Sequence, residues 1–102
     1  MEYVIWTGTI CEGQEALYEL RHRQIWPEMV ENLKAQGIRN YSIFRSGRKV
    51  IGYYECPDLE RMRTVKAGNP AAARWAASMD GIICIDTAQD DFEPYQQVFY
   101  LE

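Results

Sequence analysis

Apolar residues along the chain follow two different spacings, and each change of spacing marks a new element. Residues 3–10, 39–46 and 48–55 are rich in β-branched and aromatic side chains, which favour strands. A Ser-Gly pair supplies the turn between the second and third of these segments. Residues 95–101, YQQVFYL, have the same character, so the pattern predicts four strands.

Helical spacing of apolar residues occupies the segments between the strands. Residues 14–24 are predicted to form a first helix, and Pro27 marks either a kink or the first turn of a second helical piece ending at Gly37. A Pro-Asp pair opens a short helix through Lys66, and Asn69 followed by proline is the expected N-cap of another. The order is therefore βαββαβ once neighbouring helices are grouped.

This order predicts an α+β fold, a ferredoxin-like subunit whose antiparallel sheet has helices on one face. The strands offer apolar side chains to both faces of that sheet, as in Val50, Ile51, Tyr53 and Tyr54. An apolar face is not expected to stay in water on a small monomer. A second copy of the chain packed sheet against sheet removes the problem, so we expect a two-fold homodimer.

The first helix carries the only histidine of the chain, His22. On a helical wheel Ala16, Leu17 and Leu20 form the stripe expected to face the core, whereas Tyr18 and His22 share a second stripe. Histidine is both donor and acceptor near neutral pH, which makes His22 a candidate acid–base residue. The spacing is equally compatible with a partly buried structural pair of histidine and tyrosine.

Length and charge restrict the class of protein. The 102 residues suit one domain spanning 1–102, and no second folded domain would fit. The net charge is -4, and residues 80–102 carry six acidic and no basic side chains, which we interpret as a solvated acidic loop. A nucleic-acid-binding protein is expected to present a basic face, so we predict no nucleic-acid partner.

Cysteine usage and hydropathy bear on location. Three cysteines with no CxxC spacing favour reduced thiols over a disulfide framework. Acidic and aromatic residues follow Met1 where a signal peptide would be basic, and no apolar run approaches the roughly 18 residues of a membrane span. We therefore expect a cytoplasmic protein with no membrane partner.

Other kinds of chemistry have little support in the residues. One histidine and scattered carboxylates do not make a metal-ligand set, so no metal site is predicted. The glycines form no phosphate-binding loop, and no cysteine lies near His22 in sequence. Aromatic side chains are numerous and suit the C–H faces of sugars, although any single one of them fits a core equally well.

Four segments carry a resemblance that the spacings alone do not provide. They are RHRQIWPE at 21–28, GIRNYSIF at 37–44, NPAAARWAASM at 69–79 and QVFYL at 97–101. In residue type, order and spacing they resemble the L-rhamnose mutarotase family, and the resemblance covers essentially the whole chain. RHxxIWPE and the terminal VFYL are its more specific parts, because alanine-rich helices are common.

The resemblance implies a dimeric α/β barrel of ferredoxin-like subunits that interconverts the α and β anomers of L-rhamnose, or of a related deoxysugar, without a cofactor. It places the proton donor on His22, sugar-binding tyrosines on Tyr18 and Tyr41, and a pocket tryptophan on Trp75. The family's pattern often has a second tryptophan at the next position, where this chain has Ala76. One wall of the pocket is therefore expected to be smaller.

We expect the indole of Trp26 to join Trp75 as an apolar wall against the sugar ring. Two other functions remain open at this point. The same fold serves cofactor-independent monooxygenases, since a fold does not decide a function. A non-catalytic sugar-binding module would keep His22 only as a structural residue.

Overall fold

The computed structural model describes residues 1–86 and 93–102. Its four strands form one sheet in the order β2-β3-β1-β4, and every neighbouring pair is antiparallel. This confirms the predicted α+β fold of the ferredoxin-like type. In chain order the elements are β1 (Glu2–Ile10), α1 (Glu15–Arg23), α2 (Pro27–Ala35), β2 (Arg39–Ser46), β3 (Lys49–Cys56), α3 (Leu59–Ala67), α4 (Pro70–Ser78) and β4 (Ile83–Ile85).

Local signals set where three of the helices begin. Pro27 is the first residue of α2, so it starts a second helix and does not kink the first. The side chain of Asp58 accepts a hydrogen bond from the backbone N–H of Arg61 at the start of α3, at 3.1 Å. Asn69 does the same for α4, accepting from the N–H of Ala71 at 2.8 Å. The predicted N-cap at Asn69 is confirmed.

The fourth strand differs from the prediction. Ile83–Ile85 pairs with β1, whereas residues 95–101 form no strand and make a single bridge from Tyr95 to Tyr3. A positive φ at Gly81 turns the chain after α4 straight to the sheet edge, where three residues complete the order. A three-residue strand is too short for an alternating pattern to reveal it. Part of the predicted acidic loop, at 87–92, lies outside the described residues.

Register separates the two faces of the sheet. Val4 pairs with Tyr54 and Trp6 with Gly52, and these residues face the helices, where they are buried. The opposite face carries aromatic and aliphatic side chains too, as the two-sided apolar pattern predicted. On it Ile51 is 48% exposed and Phe44 is 65% exposed in the isolated chain.

The first helix turns a different side to the core than its apolar stripe predicted. Tyr18 is buried at 4% exposure, whereas Leu20 is 41% exposed and Ala16 is exposed as well. Leu17 packs at the margin of the core cluster. The stripe of Tyr18 and His22 therefore faces inward, because the large tyrosine ring buries more surface against the sheet than an alanine and a leucine on the other side would.

No helix among residues 1–86 and 93–102 is long and apolar enough to cross a membrane.

Candidate active site

A cavity of about 860 Å³ lies between the helices and the inner face of the sheet. Its size falls in the range of about 300–1,000 Å³ usual for small-molecule sites. Five of the six predicted site residues line it, which are Tyr18, His22, Tyr41, Trp75 and Ala76. Trp26 contacts Trp75 instead, with the two ring centroids 5.3 Å apart and the rings nearly perpendicular.

The imidazole of His22 is oriented by its own helix. Its Nδ1 lies 2.9 Å from the carbonyl oxygen of Tyr18, one helical turn earlier. A carbonyl only accepts hydrogen bonds, so Nδ1 must carry the hydrogen and donate. Two rings hold the imidazole from the sides, with centroids 4.4 Å away for Tyr18 and 5.4 Å away for Trp75. Nε2 is thereby left as the nitrogen that can exchange a proton with a ligand.

Three phenols line the cavity with the imidazole, and two of them belong to the predicted site residues Tyr18 and Tyr41. The hydroxyl oxygen of Tyr18 is buried and has no hydrogen-bond partner among the described residues. Burial, followed by the nearby Tyr41, raises the pKa of Tyr18 well above its ordinary value. Burial raises the pKa of Tyr41 to about 12. Both groups therefore remain protonated at neutral pH, where they offer O–H donors to a ligand.

Trp6 contacts this site, although sequence reasoning did not select it. Its indole Nε1–H donates to the hydroxyl oxygen of Tyr41 at 2.8 Å. Space for the indole exists because Gly52 lies opposite in β3, where a Cβ atom would overlap the ring. A tryptophan facing a glycine across two strands is a detectable signal, but only once the register of the strands is known.

A β-bulge in β2 turns Tyr41 toward the helices. Arg39 pairs with Glu55 and Ser42 pairs with Tyr53, so that two residues of β2, Asn40 and Tyr41, occupy the space of one. Asn40 adopts a positive φ of 51°, in the left-handed region that asparagine tolerates better than most residues. The Tyr41 ring packs against Tyr54, with the centroids 5.1 Å apart.

One wall of the cavity is aromatic and the position beside it is small. Trp75 projects from α4 between His22 and Trp26, and both contacts are edge-on. Ala76, the next residue, lines the cavity but is exposed to solvent, so this wall is open where a larger side chain would narrow it.

Charged groups lie at the rim of the site. Glu19 accepts hydrogen bonds from Arg45, with the closest N–O distance at 2.6 Å, and both residues line the cavity. Asp80 lines it as well and is exposed. Within the described part of the chain, no three His, Cys, Asp or Glu side chains cluster as a metal site would require.

Comparison with known proteins agrees with the geometry. A family model described as L-rhamnose mutarotase matches residues 4–101 of the chain. The chain belongs to the L-rhamnose mutarotase family.

Individual members of the family support the assignment across nearly the full length. The L-rhamnose mutarotase of Opitutus terrae is 38% identical over 100 residues, which covers 92% of each chain. That of Bacillus subtilis is 39% identical over 92 residues, covering 83% of this chain and 84% of the relative. The crystal structure of L-rhamnose mutarotase from Formosa agariphila superposes with a TM-score of 0.74 at 26% identity and covers 100% of both chains.

Proposed function

We propose that the protein interconverts the α and β anomers of L-rhamnose by acid–base opening and closing of the sugar ring. The observation that carries this proposal is the oriented imidazole of His22, which shares a cavity with the protonated phenols of Tyr18 and Tyr41 and the indole of Trp75. Membership of the L-rhamnose mutarotase family supports the same activity. We assign the proton donor to His22, as the sequence resemblance implied.

Ring opening requires two proton movements. Protonated His22 delivers the Nε2 proton to the ring oxygen while the C1–O bond of the ring breaks, and the anomeric hydroxyl loses its proton as the C1 carbonyl forms. Rotation at C1 exposes the other face of the aldehyde, and the reverse transfers close the ring. The Nδ1–H donated to the Tyr18 carbonyl keeps Nε2 as the transferring atom in both directions. A positioned acid–base group contributes roughly 10²–10⁴-fold to such a reaction.

The phenols act in this scheme as hydrogen-bond donors and not as bases. Burial raises the pKa of Tyr41 to about 12, and it raises the pKa of Tyr18 as well. Neither group gives up its proton near neutral pH, so they orient sugar hydroxyls. The anomeric proton then passes to water or to one of the carboxylates that line the cavity, Glu19 or Asp80.

The apolar wall accounts for recognition of a deoxysugar. Trp75, supported by Trp26, offers an aromatic surface to the C–H face of the ring and the C6 methyl group. The open position at Ala76 leaves room next to that surface, so we expect related deoxysugars to be turned over as well.

Saturation-transfer NMR tests the activity directly, because it measures exchange between anomer signals at equilibrium. We expect catalytic amounts of the protein to accelerate exchange of L-rhamnose strongly, and that of D-glucose weakly. L-fucose is the informative intermediate, since it is also a 6-deoxysugar. Absence of acceleration for every sugar would refute the proposal, and an oxygen electrode would then test the monooxygenase alternative.

We also propose that the protein is a homodimer, with the outer sheet face as its interface. Support comes from the exposed Phe44 and Ile51 on that face, and from the C-terminal residues. Val98 is 93% exposed and Leu101 is 81% exposed, although the pattern of residues 95–101 favours a strand. Apolar residues of this kind are expected to be covered by a partner, where the segment completes its strand hydrogen bonds.

Light scattering coupled to size-exclusion chromatography tests the dimer at micromolar concentration. We expect about twice the 11.9 kDa mass of one chain. Replacing Val98 and Leu101 by serine should shift the population toward monomer, whereas replacing Glu102 by glutamine should not. A monomer in the unaltered protein would overturn this part of the proposal.

A further inference from the structure

One hydrogen bond connects strand β1 to a tyrosine of the candidate site. Trp6 is 7% exposed on the inner face of β1, and its Nε1–H donates to the Tyr41 oxygen at 2.8 Å. An indole nitrogen is a donor only, so this contact has one possible polarity. The Tyr41 oxygen accepts, and its own O–H remains the group that donates.

We propose that Trp6 is a positioning residue that sets the direction in which Tyr41 presents its O–H to the sugar. This inference rests on the proposed function and adds a residue of the cavity lining whose indole N–H acts on the ligand through Tyr41. Without the indole, the phenol could rotate its hydrogen freely and could accept from the sugar as readily as it donates. With the indole in place, one lone pair is occupied and the donor role is preferred.

The surroundings of the indole hold it in this orientation. Gly52 faces Trp6 across the β1–β3 pair, and a Cβ atom there would overlap the ring, so the indole occupies the space that a side chain at position 52 would take. Tyr41 is in turn directed by the bulge at Asn40 and packs on Tyr54. Two independently fixed side chains therefore meet in a single hydrogen bond, which is the condition for a preorganised donor.

The neighbouring phenol provides the contrast. Tyr18 lines the same cavity with a buried hydroxyl that no group in residues 1–86 or 93–102 contacts by a hydrogen bond. Its proton is free to turn, so it can donate to or accept from whichever sugar hydroxyl approaches. We therefore expect Tyr41 to contribute discrimination between hydroxyl configurations and Tyr18 to contribute affinity.

A double-mutant cycle on anomer exchange tests the assignment. The variants are Trp6→Phe, Tyr41→Phe and both together, with thermal unfolding as the check on folding. We expect Trp6→Phe to lower kcat/KM by roughly 3- to 10-fold, the amount typical of one hydrogen bond, and to change it less than about twofold in the Tyr41→Phe background. An equal loss in both backgrounds, or no loss in either, would overturn the positioning role.

Benzothienylalanine at position 6 replaces Trp6→Phe in the cycle if that variant does not fold, because its ring sulfur replaces only the N–H of an otherwise matching ring system.

The hydrogen bond itself is visible by ¹⁵N NMR, since the chain has three tryptophans and thus three indole N–H signals. We expect Tyr41→Phe to shift the Trp6 signal upfield, and an unmoved signal would contradict the bond.

Failure of the proposed function can be told apart from failure of this inference. If the unaltered protein does not accelerate exchange of any sugar, the mutarotase proposal fails by itself. The same cycle is then measured on L-rhamnose affinity by calorimetry. Coupling between positions 6 and 41 in that affinity supports the positioning role, whereas additive effects or the absence of binding overturn it.

Discussion

The Nδ1 atom of His22 lies 2.9 Å from the carbonyl oxygen of Tyr18, one turn back along α1. This contact does two things at once. It determines the tautomer of the imidazole, and it connects the candidate acid–base residue to a tyrosine whose buried hydroxyl has no partner among the described residues. Both side chains are thereby fixed to neighbouring turns of the same helix.

Replacing His22 by glutamine should abolish most of the catalysis. Glutamine can still hydrogen bond but has no proton to exchange near neutral pH, so we expect the exchange rate of L-rhamnose to fall by about 10²–10⁴-fold. Saturation-transfer NMR gives the rate and calorimetry gives the affinity, which should change far less. Arg23→Gln, an exposed change on the same helix, is the matched control. An unaltered rate in His22→Gln would remove histidine from the mechanism.

Removing either phenolic hydroxyl should weaken sugar binding, yet the two changes should have opposite effects on stability. Tyr18→Phe deletes a buried hydroxyl that has no partner in the described part of the chain, so the free energy of unfolding should hold or rise by up to about 1 kcal/mol. Tyr41→Phe leaves the Trp6 N–H without its acceptor, which should cost about 1–3 kcal/mol. Urea denaturation of the sugar-free proteins measures both, and changes of the same sign would contradict this account.

Alkaline pH should destabilise the protein through its buried phenols. The pKa of Tyr41 is raised from 10.0 to about 12, so above pH 10 the unfolded chain gives up a proton that the folded chain retains. Its stabilising contribution is complete below pH 10 and is lost as the pH rises to 12, for a total of about 2–3 kcal/mol. Urea denaturation at several pH values measures the free energy of unfolding across this range. That free energy should fall less steeply with pH in Tyr41→Phe than in the unaltered protein, and identical slopes would argue against the raised pKa.

The bulge at Asn40 should tolerate glycine but not valine. Asn40→Gly preserves the positive φ, so stability and exchange should change little. Asn40→Val imposes a β-branched residue on that conformation at a cost of about 1–2 kcal/mol, and displacement of Tyr41 should raise the KM for L-rhamnose. Ser42→Val, just beyond the bulge, is the control and should stay within about 0.5 kcal/mol. Equal effects of the two valines would show that the bulge is not required.

Much of the fold was accessible from residue types and their spacing. The caps at Asp58 and Asn69 act within three residues, so the start of each helix is set by its immediate neighbours. The strands β1, β2 and β3 were predicted from their composition, which is also a property of neighbouring residues in the chain. The fourth strand was not predicted. Ile83–Ile85 becomes a strand because it pairs with the free edge of β1, and its own sequence has no pattern that indicates a strand.

The site shows the same division. His22 could be named as a candidate from its chemistry, as the only imidazole of the sequence, and the resemblance at RHxxIWPE implied a role for it. The side of α1 that faces the core could not be predicted in this way. The apolar stripe of Leu17 and Leu20 indicated the wrong side, and Tyr18 is the buried residue. A helical-wheel prediction considers only how hydrophobic each side chain is. The packed structure also depends on shape, and it buries the side chain that fills the space between the helix and the sheet.

The sequence by itself determined the order of the first seven elements and the resemblance to the family, and it named His22 as the candidate acid–base residue. Only the tertiary structure decided that Trp6 lies beneath Tyr41, because that contact depends on a strand register which places an indole against Gly52. Helix starts and strand composition follow from interactions between near neighbours in the chain. Registers, bulges and the inward face of a helix follow from the packing of residues far apart in sequence, which no local pattern contains.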